Sequence, residues 1–415
     1  MTSSNETKET FTVGFLILTN LKMGAGVERI IQEFVENAPA NVKTKLIQTD
    51  FVQNSRLEDE QVERFTDKCE TYTLKVHPER GRFINRRYIG FLYNFVIFRL
   101  LIYLYLKKDK DNFYNFIKDL DVIYLAANNF AYLFKKMQIV IVGSQLVDFE
   151  GINRGFFWRA KLRLISKGLI YRNLDGFTLF PYNDDLTALI KPDKNFVTMP
   201  RGVDTNIFYP LKKIGKLRFL FVARLEKYKG INFLIKVWKQ SKIDAELHIV
   251  GAGSQSQFVQ KEAKNDPSII YHGIVNYEDL ADLYGASDVF LVPSNYDAYS
   301  TVVLEAFSAG CFIIMSRYLQ KVHSWLISSR DGMFLDLKDE AWKNALKSIV
   351  GTKDQIQASA SKRHEIAVSK FDTKAVTTSF YERLQVLVSK CKQPKYRSSK
   401  DRGKVLIDEG EIRQE

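Results

Sequence analysis

Two doubly wound parallel sheets, and hence an α/β protein of two domains, are predicted from three features of the 415-residue chain. Short, wholly apolar runs recur, such as 289–292 and 312–315, and runs of this kind mark strands buried on both faces. Segments of helical periodicity separate them, the pattern of parallel strands joined by crossover helices. The alternation breaks at Pro200-Arg201-Gly202-Val203-Asp204 and then resumes, so this stretch reads as an interdomain linker.

The first domain is expected over 11–200. Its strands are placed at 11–18, 43–49, 71–76, 121–126, 139–142, 175–180 and 196–199. A glycine turn, Leu21 to Arg29, enters a helix that runs to about Glu36. A long apolar helix is expected at 88–106, a short helix between the strands at 121 and 139, and a basic amphipathic helix at 156–172. The second domain, 201–370, has strands at 218–222, 246–250, 269–272, 289–292 and 312–315, with helices between them, for example 230–240 and 277–284. A final amphipathic helix starts at Phe371 and runs to 388–390. Residues 1–10 and 391–415 are polar or charge-rich and read as disordered.

An apolar fraction of 46% supports real cores, which excludes global disorder. The formal charge of +13 favours acidic partners: phosphorylated substrates, anionic lipid surfaces or nucleic acid. Three scattered cysteines make neither a disulfide framework nor a zinc site, which fits a reducing cytoplasmic compartment. Met1 to Thr10 carries no apolar core of a signal peptide. Asp109-Lys110-Asp111 has the spacing of a metal pair, but it sits among lysines and reads as a solvated loop, so no metal site is expected.

The stretch from Val289 to Met315 organises the chemistry. Pro293 and Ser294 stop an apolar strand, a polar loop follows, and Ser300 and Thr301 stand where a helix should begin. Gly310 fits its C-terminus, and a second buried strand follows. A helix N-terminus at the carboxyl end of a parallel sheet receives anions through its free N–H groups and its dipole. Asp297 and Glu305 flank the loop, and carboxylates suit sugar or ribose hydroxyls. A second stretch, Phe221-Val222-Ala223-Arg224-Leu225-Glu226-Lys227-Tyr228-Lys229-Gly230, puts Arg224 and Lys229 on the loop after a strand. Arg offers phosphate a planar fork and Lys a mobile point charge.

These segments resemble the retaining family-4 glycosyltransferases of GT-B fold. Asp297, seven residues, Glu305, Ala306 resembles that family's donor motif, with Asp in place of its first Glu. Arg224 to Gly230 resembles its Gly-Arg-Leu…Lys-Gly motif, with Ala223 in place of Gly. Pro200 to Phe208 resembles its linker, with Arg201 where Asn is usual. Leu247-His248-Ile249-Val250-Gly251-Ala252-Gly253 resembles the strand and turn near the nucleotide base, and Tyr271-His272-Gly273-Ile274-Val275 the next strand. In the first half, Gly24-Ala25-Gly26-Val27-Glu28-Arg29 resembles the family's Gly-Gly-x-Glu-Arg turn. The likeness is continuous over about 200–316 and sparser elsewhere.

The resemblance implies two facing Rossmann-like domains, with the last helix crossing back onto the first. It implies a donor diphosphate held by Arg224 and Lys229, ribose hydroxyls on Glu305 and sugar hydroxyls on Asp297. Gly24, Gly26, Gln145, Gly251, Gly253, Ser300, Thr301 and Val302 complete the expected donor site. Gln145 stands near where many members carry a His, and it cannot take a proton at neutral pH. The function so implied is transfer of a sugar from a nucleotide-diphosphate sugar to an acceptor with retained anomeric configuration, without metal or other cofactor. Nucleic acid is not an expected partner. A different GT-B chemistry (a nucleotide-sugar epimerase or a phosphorylase) and an inactive subunit that binds a partner glycosyltransferase remain as alternatives.

Arg82 to Lys108 adds one expectation. Its apolar run approaches the ~20 residues of a membrane span. Asn94 and Arg99 interrupt it, and a core strand follows, so a span is rejected. An apolar surface with basic ends suits reversible attachment to an anionic membrane face, with a lipid-linked glycan as acceptor. The other reading is a packing helix buried on its sheet.

Overall fold

In the computed structural model, alternate residues of each strand go to opposite sides of a sheet, and both sides are covered. Strand β8 (Leu217–Val222) sends Leu217, Phe219 and Phe221 into one buried cluster and Leu220 into the other. Strand β11 (Val289–Val292) divides the same way, with Val289 and Leu291 against Phe290 and Val292. So does β12 (Phe312–Ser316), with Phe312 and Ile314 against Ile313 and Met315. This sorting is why such runs show no polar alternation.

The structure describes residues 10–17, 26–50, 68–75, 105, 107–125, 134, 137, 139–143, 174–179, 195–198, 201–295, 301–323 and 326–392. The chain divides into two units. One takes residues 1–179, 185–199 and 377–415; the other takes 180–184 and 200–376.

The first unit holds a seven-stranded parallel sheet of order β3-β2-β1-β4-β5-β6-β7. Its strands are β1 (Phe11–Leu16), β2 (Val42–Thr49), β3 (Glu70–Leu74), β4 (Val122–Leu125), β5 (Val140–Gly143), β6 (Gly176–Leu179) and β7 (Asn195–Thr198). Helices α1 (Gly26–Glu36) and α2 (Lys110–Ile117) are described beside it. Asp111 lies inside α2 and Asp109 immediately before it, so Asp109-Lys110-Asp111 opens a helix and is not a loop. Burying a charge requires partners, and β2 supplies one case. Lys45, 4% exposed, donates to Asp119 Oδ1 and to the Phe116 carbonyl, each at 2.8 Å.

The second unit holds a six-stranded parallel sheet of order β10-β9-β8-β11-β12-β13. The remaining strands are β9 (Ala245–Val250), β10 (Ile269–Gly273) and β13 (Gly332–Leu335). The sequence reading missed β13, a four-residue strand whose polar flanks hide a short pattern. Around the sheet run α3 (Ile231–Ser241), α4 (Ser256–Asn265), α5 (Tyr277–Ala286), α6 (Thr301–Ser308), α7 (Gln320–His323), α8 (Asp339–Gly351), α9 (Lys353–Ala358) and α10 (Ala360–Phe371).

The last helix among the described residues, α11 (Thr373–Lys392), begins after Phe371, not at it. Asp372 makes the break: its Oδ1 accepts the N–H of Lys374 at 3.0 Å, as an N-cap does, and its Oδ2 accepts the Thr205 hydroxyl at 2.8 Å. From Thr377 onward α11 groups with the first unit. There Phe380 stacks on Phe34 at 4.4 Å, and the Tyr381 hydroxyl donates to the Phe34 carbonyl at 3.0 Å. The helix also runs past Cys391, where the sequence suggested a disordered tail. The helices expected at 88–106 and 156–172 lie almost wholly or wholly outside the described residues, and so do 1–9 and 393–415. Among the described residues, no helix is long and apolar enough to cross a membrane.

Candidate active site

Strands β8 and β11 are neighbours, yet the chain leaves β8 towards β9 and leaves β11 towards β12. Their carboxyl ends therefore flank the point where the strand order reverses, the crevice in which open α/β sheets bind ligands. Arg224 and Lys229 follow β8, and the helix bearing Glu305 follows β11.

The β8 loop is held on one side by the turn after β9. Ala223 N–H donates to Val250 O at 3.2 Å, Leu225 N–H to Ala252 O at 2.9 Å, and Gln255 N–H back to Leu225 O at 2.8 Å. Gly251 allows this. Its φ is +126°, and a Cβ there would lie 1.9 Å from the Ala223 carbonyl oxygen. The Glu226 carboxylate accepts the Ser254 hydroxyl at 2.7 Å and the Ser254 N–H at 3.2 Å. These bonds hold its carboxyl below the usual carboxylate range.

On the other side the loop meets the end of β11. A 3-10 turn, Lys227–Lys229, ends at Gly230 (φ +78°), where a Cβ would come within 2.0 Å of the Pro293 carbonyl oxygen. Asn295 N–H donates to the Tyr228 carbonyl at 2.9 Å. Ser294 is buried, and its carbonyl accepts the Ser316 hydroxyl at 2.6 Å, which ties in the end of β12. A cavity of about 420 Å³ opens beside these segments, lined among others by Lys227, Asn232, Phe233, Pro293 and Leu337.

Arg224 is exposed and Lys229 half-buried, and both reach Tyr228. Arg224 Nη2 donates to the Tyr228 hydroxyl at 2.6 Å, and Lys229 Nζ lies 5.5 Å from the centroid of its ring. Glu305 is different. It is 5% exposed, in a run of α6 that is buried from Val303 to Ser308. Thr301 and Val302, half-buried, form the start of that helix, where N–H groups have no partner inside the helix. Gly310, with φ +78°, closes its C-terminal end.

A polar chain runs through the outer strands. His248 Nδ1 lies 3.0 Å from His272 Nε2, and His248 Nε2 lies 3.3 Å from Glu246 Oε2. Burial lowers both histidine pKa values, with each partner acting after it: Glu246 raises that of His248, and His248 further lowers that of His272.

The structure thus puts Arg224 and Lys229 on one aromatic ring, and Gly251 and Gly253 against the loop that carries them. Gly253 has a ligand-independent reason too, since a Cβ there would lie 2.7 Å from Leu225 O. Gly26 is the first residue of α1. Asp297, Ser300, Gly24 and Gln145 lie outside the described residues. Sequence reasoning did not single out Tyr228 or the Glu226–Ser254 clasp. Their signal was a Tyr between two motif cations and an acid facing a Gly-Ser turn.

Residues 204–364 match the family model described as glycosyl transferases group 1. A GDP-mannose-dependent alpha-mannosyltransferase of Corynebacterium glutamicum is 28% identical over 171 residues, covering 39% of this chain and 37% of that protein. The chain spans 26%, 37% and 40% of the lengths of three curated relatives that it matches. A sucrose-phosphate synthase from Thermosynechococcus elongatus superimposes with a TM-score of 0.68 at 17% identity, covering 92% of this chain and 100% of that one. HepE of Anabaena, solved in complex with UDP, gives 0.66 at 15% identity, covering 91% and 100%. Together with the two doubly wound sheets, these likenesses give the chain the GT-B fold, and residues 204–364 of its second unit are similar to the group 1 glycosyl transferases.

Proposed function

We propose that the protein is a glycosyltransferase that takes a nucleotide-diphosphate sugar as donor and retains its anomeric configuration. The observation that carries this reading is the pair of cations, Arg224 and Lys229, on the loop at the sheet's reversal point, with the start of α6 across from it. Diphosphate carries the charge that such a site attracts. Glu305, buried on α6, takes the ribose hydroxyls, and Asp297 the sugar hydroxyls. One relative is described as GDP-mannose-dependent and one structural neighbour holds UDP, which supports the donor class and leaves the base open.

In the reaction the bond from the anomeric carbon to the diphosphate oxygen breaks while the acceptor oxygen bonds to that carbon on the same face. The acceptor's proton passes to the departing phosphate oxygen. Negative charge grows on the diphosphate as it leaves, and in this reading Arg224, Lys229 and the N–H groups at the start of α6 stabilise that charge. These fixed cations supply what a metal supplies elsewhere, so activity is expected to persist in chelator. The segment from Arg82 to Lys108 supports a lipid-linked acceptor at an anionic membrane face, to be checked by salt-sensitive co-sedimentation with anionic liposomes.

Release of UDP or GDP from a panel of nucleotide sugars, with and without glycan acceptors, tests the reading. Acceptor-dependent release of one nucleoside diphosphate, with the product keeping the donor's anomeric configuration by NMR, is the expected result. No release from any donor would favour a catalytically inactive subunit, and an inverted product would remove the chain from the retaining class.

A further inference from the structure

Three contacts meet on Tyr228. Its hydroxyl accepts from Arg224 Nη2 at 2.6 Å, its ring lies 5.5 Å from Lys229 Nζ, and its carbonyl accepts from Asn295 N–H at 2.9 Å. The first two contacts reach the cations of the β8 loop, and the third joins that loop to the one after β11. We infer that Tyr228 is a positioning residue, which holds Arg224 and Lys229 in place for the donor diphosphate. The inference rests on the donor reading given above.

The physical case has two parts. Arg and Lys side chains are long and lose much rotamer freedom when they grip a ligand. Two like charges on one short loop also repel. An aromatic ring bearing a hydroxyl answers both, because the hydroxyl orients the guanidinium and the ring attracts the ammonium. Restraint applied before binding lowers the ordering cost at binding. A carboxylate in the same place would anchor the cations harder, but it would compete with phosphate for them. A neutral hydroxyl gives way to phosphate, whose charge-assisted bonds are the stronger ones. The ring also sits on a fixed backbone: the 3-10 turn around it is pinned by the Asn295 bond and by the close packing of Gly230 on Pro293.

Tyr228→Phe removes the hydroxyl and keeps the ring, whereas Tyr228→Leu removes both; neither touches the backbone bond. Calorimetric titration with UDP and uridine, and with GDP and guanosine, separates the diphosphate contribution from that of the nucleoside. For whichever diphosphate the wild type binds, affinity is expected to fall about fivefold in the Phe variant and about tenfold to thirtyfold in the Leu variant. Nucleoside affinity and the melting temperature of the Phe variant should not move. Equal losses for nucleoside and diphosphate would make Tyr228 a structural residue only, and unchanged diphosphate affinity in both variants would overturn the inference outright. Should the Leu variant fail to fold, the Phe variant alone decides. Failure of the donor reading looks different, because the wild type itself would then bind neither UDP nor GDP.

Discussion

The two edges of the second sheet handle charge in opposite ways. At the amino-terminal edge, Asp288 is 2% exposed and its bonds are internal. Its Oδ2 accepts Arg218 N–H at 2.8 Å, and its Oδ1 accepts Gln357 Nε2 at 2.8 Å. The first sheet repeats the device: Asp121 Oδ2 accepts Thr12 N–H at 3.0 Å, and its Oδ1 takes Lys392 Nζ at 2.7 Å. In both sheets the aspartate precedes the strand beside the reversal point and accepts the N–H of the second residue of the neighbouring strand. At the carboxyl edge, Arg224 is exposed and Lys229 half-buried, and both side chains reach Tyr228. Charge at one edge is used up in holding strands together. At the other, Arg224 stands exposed to solvent at the end of the sheet.

The sharpest break of this contrast is Asp288→Ala. It strips two bonds from a buried site and leaves their donors unpaired, at a cost of about 3 kcal/mol in urea unfolding. Nucleoside diphosphate affinity of the folded fraction should stay unchanged. Gly251→Ala blurs the two edges. At φ +126°, and with a Cβ only 1.9 Å from the Ala223 oxygen, it should cost about 2–3 kcal/mol of stability and weaken diphosphate binding as well, because the β8 loop must move.

Arg224→Ala, Lys229→Ala and Glu305→Gln test the carboxyl edge. Each of the two cation variants should reduce donor turnover about tenfold to a hundredfold, the scale of one charge-assisted contact. Their melting temperatures should hold, since neither side chain is buried. Glu305→Gln should lose nucleotide affinity, while Asp297→Asn should lose turnover with diphosphate binding nearly intact. Equal affinity loss in these two would refute the division of ribose and sugar between them.

The smallest effect concerns pH. Burial holds His248 and His272 below their ordinary pKa, so the folded state prefers both neutral. Their contribution to stability is full above the unfolded value of about 6.5 and is lost as pH falls through the lower folded values. The unfolding midpoint in urea should therefore drop between pH 7 and pH 5, and His272→Gln should flatten that drop. An equal drop in the variant would assign it to other groups.

Much of this was legible in the sequence because buried parallel strands leave uninterrupted apolar runs, and the second unit has them at 219–222, 289–292 and 312–315. Arg224, Lys229 and Glu305 could be picked out because their spacing from those runs fixes where they sit on the sheet. The aspartate device was also written there, as Asp121-Val122-Ile123 and Asp288-Val289-Phe290, but an acid before a strand looks like any loop acid until its partner strand is known. Strand β13 was too short and too polar at its flanks to stand out. Tyr228 escaped because its role depends on where two neighbouring side chains point, which residue type and spacing do not encode. Gly251 was read as a turn near a nucleotide base, and its close approach to Ala223 became visible only once β8 and β9 were paired.

The central claim, that the carboxyl edge of the second sheet is a nucleoside-diphosphate site, is met most directly by a thermal-shift panel of UDP, GDP, ADP and CDP on the wild type and Arg224→Ala. One diphosphate should stabilise the wild type by about 2.7 kcal/mol at a hundred times its Kd, and the variant much less at the same concentration. A panel in which no diphosphate shifts the wild type, or in which Arg224→Ala shifts equally, would contradict it.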